Sequence, residues 1–170
     1  MTAQGTRVLG VDTALRSSGV AVVEAEGSRL RAVEFGVIRN RDAVRLSDCL
    51  ANLHRGITEL IARAQPQAAA IEGVFFARNV RTAVVLGEAR GAVIAACRGA
   101  GLPVFEYSPR RVKQALVGFG AAEKPQVRKM VMALLGLAEP PAEDAGDALA
   151  IAICHLNCAT RHAALAPEEI

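Results

Sequence analysis

The chain has 170 residues, 52 % hydrophobic and 22 % charged, with a formal net charge of +3. That length and balance fit one soluble, compact domain with a sizeable core. No uninterrupted apolar run of about eighteen residues offers a membrane span, and no basic segment followed by an apolar stretch opens the chain as a secretion signal. The expected location is the cytoplasm, with no membrane partner.

"TRVLGVD" is a β-rich run ending at Asp12, "SSGVAVVE" supplies a second strand and "LRAVEFGVI" a third. The connections between them are short, which predicts an antiparallel meander. From Asp42 the period changes: Leu46, Leu50, Leu53, Ile57 and Leu60 follow helical spacing, and Pro66 stops the helix. "AAAIE" is a compact buried strand ending at Glu72. A helix follows over residues 80–101, with Val85, Ala89, Ala92 and Ala96 on one stripe. Gly87 and Gly91 sit inside that helix. Each costs it about 1 kcal/mol against alanine, so the pair suggests a close contact with a strand, a helix or a second subunit.

"LPVFEY" is the next strand, and helices are expected from Pro109 to Leu116, from about Glu123 to Leu137, and from Glu143 onward. Alternation of helix with buried strand predicts parallel pairing in the second half. The expected fold is therefore α/β: a five-stranded mixed sheet, three antiparallel strands then two parallel, flanked by helices. One domain spans residues 1–170, with residues 160–170 a frayed tail. The cysteines Cys49, Cys97, Cys154 and Cys158 lack CxxC spacing and read as buried thiols of a reducing compartment. A metal site on Cys154, His155 and Cys158 is the weaker alternative, and His155 itself reads as a core or surface residue.

Four acids carry the chemistry. Asp12 and Glu72 end two strands, and strand ends in such sheets are where ligand sites collect. Asp144 and Asp147 stand at i and i+3 near the start of the last helix, so both share one face. Capping that helix and complementing its dipole would explain acids there. Yet the stripe continues through Ala148 and Ile151, in an almost wholly apolar run, as a packing face would. The small residues Ala145, Gly146, Ala148, Ala150 and Ala152 would let this helix approach the sheet closely and bring its aspartates to Asp12 and Glu72.

Four gathered carboxylates repel one another unless cations neutralise them, and hard oxygen donors suit Mg²⁺ or Mn²⁺. Two such ions about 4 Å apart can support phosphodiester hydrolysis. Between Tyr107 and Lys129 stand Arg110, Arg111, Lys113, Lys124, Arg128 and Lys129 against the single acid Glu123, a local charge of +5. Such a field favours a polyanion.

The blocks "VLGVDTALRSSGVAVVE", "AAIEGVFFARN", "LGEARGAVIAAC", "VFEYSPRRVKQALVGFGAAEKPQV" and "DAGDALAIAICH" resemble those of the RuvC family, the bacterial Holliday-junction resolvases, across roughly residues 7–158. The resemblance implies a ribonuclease-H-like fold and a homodimer that binds a four-way DNA junction during recombination and repair. It further implies symmetric nicks in two opposing strands that a ligase can seal, and a branch-migration motor as partner. Matched by motif, Asp12, Glu72, Asp144 and Asp147 are the catalytic metal ligands, holding two Mg²⁺ per subunit with Mn²⁺ as a substitute. Phe75 is expected at the DNA bases and Phe76 in packing. Arg78, Arg81, Lys113, Lys124, Arg128 and Lys129 are candidates for backbone contacts.

Two positions depart from the family pattern. Thr13-Ala14 stands where Pro-Gly is common after the aspartate, and Gly73 where a longer polar side chain is common. The residues taken alone also leave open a related nuclease acting on flaps or RNA–DNA hybrids, or a DNA-binding scaffold whose acids only cap and solvate. "GVDTALRSSG" has a faint likeness to sugar-kinase-like ATPases, whose fold needs a second domain.

Overall fold

Side-chain alternation builds the sheet. In strand β1 (Thr6–Asp12) Val8 and Leu9 are both fully buried, yet they belong to hydrophobic clusters on opposite faces. Strand β2 (Ser17–Glu26) repeats the pattern, with Ala21 and Val23 on one face and Val20 and Val22 on the other. A sheet buried on both faces accounts for the β-branched character of these runs. The computed structural model describes residues 5–73, 79–161 and 169–170.

Strand β3 (Arg29–Arg39) pairs antiparallel with β2, and β2 antiparallel with β1. Strands β4 (Ala68–Glu72) and β5 (Val104–Tyr107) are added in parallel, giving the order β3-β2-β1-β4-β5. This is the expected mixed sheet. Because Val11 lies opposite Ile71 in the β1–β4 pair, Asp12 and Glu72 end neighbouring strands at the same edge of the sheet.

Helix α1 (Leu46–Ala64) packs Leu53, Ile57, Leu60 and Ile61 on one sheet face beside α2 (Val80–Gly99). Burial of each such side chain is worth about 1.5–3 kcal/mol. Leu46, expected on the buried stripe, is 38 % exposed at the first residue of α1, and the helix's buried residues begin at Cys49. The buried line of α2 is Ala89, Val93, Ala96 and Cys97, whereas Val85 and Ala92 are only half-buried. The opposite stripe of α2 leaves Val80 80 % and Val84 54 % exposed.

The other face carries α3 (Pro109–Val117), α4 (Lys124–Leu135) and α5 (Glu143–Arg161). Ser108 caps α3 by accepting from the Arg111 N–H, with Pro109 inside the first turn. Gly118 and Gly136 close α3 and α4 in the left-handed conformation.

Helix α5 is the central element of this layer, and it lies unusually near the strands. A Cβ at Gly10 of β1 would overlap the Ala148 carbonyl oxygen and come within 2.8 Å of the Ala152 nitrogen. A Cβ at Gly19 of β2 would overlap the Asp144 carbonyl and reach 3.0 Å from the Ala145 nitrogen. The alanines of α5 and these two glycines are the two halves of one close contact. Of the expected tail, residues 162–168 lie outside the described residues, while Glu169 pairs with Phe105 on β5 and with Arg98 at 3.1 Å.

Candidate active site

The strand ends and the first two turns of α5 meet around a cavity of about 350 Å³. Its lining includes Asp12, Glu72 and Asp147, together with Lys113 of α3 and Lys124 of α4. Asp12 projects toward α5 because it follows Gly10 by two residues, and strand side chains alternate. Glu72 shares its face with Ala70 and stands in register with Tyr107.

Asp144 does not line the cavity. Its carboxylate accepts a hydrogen bond from the Ser17 hydroxyl at the start of β2, so the side chain is committed to the sheet and not to a capping bond. Three of the four acids thus face one cavity and the fourth stands at its side.

Their electrostatics are those of acids crowded out of water. Burial pushes the pKa of Asp12 up from 3.8 to about 7, helped by the charges of Asp147, Glu72 and Asp144 and opposed by Lys124. Glu72 is raised by burial and by Asp147, with Lys124 and Lys113 working the other way. Asp147 is raised by burial, while Lys124 pulls it down. Lys124 is therefore the local counter-charge: its ammonium lies 3.5 Å from Asp147 and 2.6 Å from Glu143.

The donor set is all oxygen, half-buried and mutually repelling, which is the chemistry of a site for a hard divalent cation. As the side chains stand, however, no group of three or more His, Cys, Asp or Glu among the described residues is set to hold a metal ion. Of the four expected carboxylates, Asp12, Glu72 and Asp147 share the cavity while Asp144 stands outside its lining, and together they form no cage.

The candidate DNA contacts divide by place. Lys113 and Lys124 line the acid cavity. Arg128 and Lys129 line an adjoining cleft of about 400 Å³ between α4 and α5, where Arg128 donates to the Pro141 carbonyl at 3.1 Å. Arg81 is exposed in the first turn of α2, whose Asn79 cap accepts from the Thr82 N–H. Phe75, Phe76 and Arg78 lie outside the described residues.

The Thr13-Ala14 departure produces a braced turn, with the Ala14 N–H donating to the Ser18 hydroxyl at 3.0 Å. Thr13 Oγ1, next in sequence to Asp12, is buried with no hydrogen-bond partner among the described residues. His155 is a core residue: its Nδ1 pairs with the Tyr107 hydroxyl at 2.8 Å, Phe105 packs against its ring, and burial lowers its pKa to about 4. Cys154 and Cys158 beside it are buried free thiols.

Ser17, Glu143, Gly10 and Gly19 were not singled out by the sequence. Only the glycines carried a signal, as small residues interrupting otherwise β-branched runs.

A family described as "Crossover junction endodeoxyribonuclease RuvC" matches residues 8–155. The chain belongs to the RuvC family. It is 51 % identical over 159 residues to the RuvC of Alkalilimnicola ehrlichii, covering 94 % of this chain and 96 % of that one. The RuvC of Teredinibacter turnerae is 49 % identical, over 88 % of this chain and 87 % of that one. Among solved structures, Thermus thermophilus RuvC in complex with Holliday junction substrate superposes with a TM-score of 0.91 at 34 % identity, covering 97 % and 99 % of the two chains. A RuvC-family endonuclease fold thus extends over nearly all of the sequence, and the ribonuclease-H-like sheet is the family's own. Among the described residues no helix is long and apolar enough to cross a membrane.

Proposed function

We propose that this chain is a single-domain, cytoplasmic endonuclease of recombination and repair that resolves four-way DNA junctions. It hydrolyses one phosphodiester in each of two opposing strands. Water attacks phosphorus, the P–O3′ bond breaks, and the 5′-phosphate and 3′-hydroxyl left behind can be ligated. The observation that carries this reading is the meeting of Asp12, Glu72 and Asp147 at one basic-rimmed cavity in a chain of this family.

Asp12, Glu72, Asp144 and Asp147 would hold Mg²⁺, two ions per subunit, with Mn²⁺ able to substitute. Such ions, when bound, lower the pKa of water and neutralise charge on the scissile phosphate. The chain's own residues do the rest. Asp12 carries much of its proton at neutral pH in the apoprotein and must release it to act as a ligand. Lys113 and Lys124 bring positive charge to the mouth of the cavity, where a phosphate would enter. Arg128 and Lys129 extend that charge along the α4–α5 cleft, and Arg81 adds to it from α2. Phosphate contacts of this kind position DNA without reading its sequence. Phe75 and Arg78, by family resemblance, serve the junction centre.

Paired cuts need two active sites. The exposed stripe Val80, Val84, Gly87 and Gly91 on α2 supports a homodimer, since nothing among the described residues lies within 4 Å of a Cβ placed at either glycine. Association with a branch-migration motor is the partner the family implies.

The test sets a synthetic four-way junction against linear duplex, a flap and an RNA–DNA hybrid, each in Mg²⁺, Mn²⁺ and EDTA. Symmetric nicking of the junction in either metal, and none in EDTA, is expected. Equal binding and cutting of all four substrates would reject the junction assignment.

A further inference from the structure

We infer that Ser17 is a positioning residue for strand cleavage: its hydroxyl fixes the carboxylate of Asp144 at the side of the acid cavity. The inference rests on the reading of Asp144 as a metal ligand.

Ser17 and Gly19 lie two residues apart on β2 and so face the same side of the sheet. Gly19 lets the Asp144 carbonyl descend onto the strand, and Ser17 donates its hydroxyl to Oδ2 of the same aspartate. Backbone and side chain of Asp144 are thus held by two neighbouring points of one strand. Gly19 is also the register partner of Asp12, which ties this anchorage to the first acid of the site.

The anchor itself is stiff. Ser18 turns its hydroxyl the other way, bonding the Ala14 N–H, and the Asn40 amide holds the Leu15 carbonyl at 2.7 Å. Asp144 needs such a restraint, because its charge repels those of both Asp12 and Asp147. The bond occupies Oδ2 only, and Oδ1 accepts no hydrogen bond among the described residues. A hydroxyl donating to an ionised carboxylate makes a charge-assisted bond, stronger than a neutral one. Partners that orient ligating carboxylates in this way matter to the metal as well as to the ligand.

The experiment compares Ser17→Ala, Ser17→Thr and Asp144→Asn with the parent. Mn²⁺ binding to the DNA-free protein is followed by calorimetry, with single-turnover cleavage, junction affinity in EDTA and melting temperature alongside. Ser17→Ala should lose about 10- to 100-fold in Mn²⁺ affinity and in cleavage rate at limiting metal. Its junction affinity in EDTA should stay unchanged, and Ser17→Thr, which keeps the hydroxyl, should restore most of both losses. Parent-like metal binding and cleavage by Ser17→Ala, with Asp144→Asn inactive, would overturn the role of Ser17 and leave the site intact. Parent-like cleavage by Asp144→Asn would overturn both. If Ser17→Ala melts far below the parent, Ser17→Thr decides: loss of metal affinity with the hydroxyl present refutes the inference.

Discussion

Replacing Asp12 with Asn should abolish cleavage and, in EDTA, make the folded protein more stable. The Asp12 carboxyl is raised from 3.8 to about 7, chiefly by burial and then by Asp147, Glu72 and Asp144. With the lower value holding in the unfolded chain, the sign follows. Below about pH 3 the group is protonated in both states and favours neither. As pH rises, the unfolded chain releases the proton while the fold still binds it, so the fold is increasingly disfavoured. The penalty is complete above pH 7.

At about 1.4 kcal/mol per pH unit of that window the ceiling is about 4 kcal/mol. Solvent at the cavity mouth reduces this to about 2–3 kcal/mol. The neutral amide removes the penalty, so Asp12→Asn should melt roughly 5–10 °C higher than the parent at pH 8, with a distinctly smaller gain at pH 5. Thermal melts in EDTA across pH 5–8 measure both. No gain at pH 8, or the same gain at pH 5 and pH 8, would refute a repelled, half-buried carboxylate at this position.

Other perturbations test neighbouring steps. Gly19→Ala drives a methyl into the Asp144 carbonyl and should lower stability by about 1–3 kcal/mol or more, read as a fall in the urea midpoint. Lys124→Ala removes the charge that holds down Asp12, Glu72 and Asp147, so the carboxyl resonances of all three should titrate at higher pH in carbon-detected NMR. Val84→Glu places charge on the exposed stripe of α2 and should shift sedimentation from dimer to monomer, with paired nicking reduced to single nicks.

Much of the fold was legible because local pattern and burial agree. "AAAIE" is read as a strand because four small or branched residues lead to Glu72 in a short run between two helical segments, and β4 has those bounds. Asp12 and Glu72 were legible as a pair from their places at strand ends. The approach of α5 was legible from its alanines, but only one half of that contact was read; the strand glycines complete it. Periodicity misplaced the edges of faces, not the faces themselves. Leu46 fits the stripe of α1 yet stays exposed at the helix start, and α2 is rotated so that Val93 and Cys97 replace Val85 and Ala92 inward.

The bond from Ser17 to Asp144 spans 127 positions and depends on β2 register and the depth of α5 together, so no local pattern announces it. Lys124 illustrates the same limit. Its place in a basic run suggested DNA alone, whereas its ion pairs with Glu143 and Asp147 are set by the packing of α4 on α5.

The depth of α5 also explains why the acids can be held together at all. Repulsion among Asp12, Glu72 and Asp147 would drive the helix away from the sheet if their contacts alone fixed its position. Instead Gly10 and Gly19 admit its backbone, Leu149 and Ile153 are sealed in the hydrophobic layer, and Ile151 is buried at the wall of the acid cavity. Each of those side chains contributes about 1.5–3 kcal/mol on burial, together enough to offset the charge penalty at Asp12. The helix is therefore held down by its apolar length while its first two turns carry the unfavourable charge. Weakening that apolar anchorage away from the cavity, for example by Leu149→Ala, would release the aspartates and relieve their repulsion at the same time. The pKa of Asp12 should then fall back toward the ordinary carboxylate range as stability is lost. A carboxylate that stayed high in that variant would place the origin of its shift in the strand end alone.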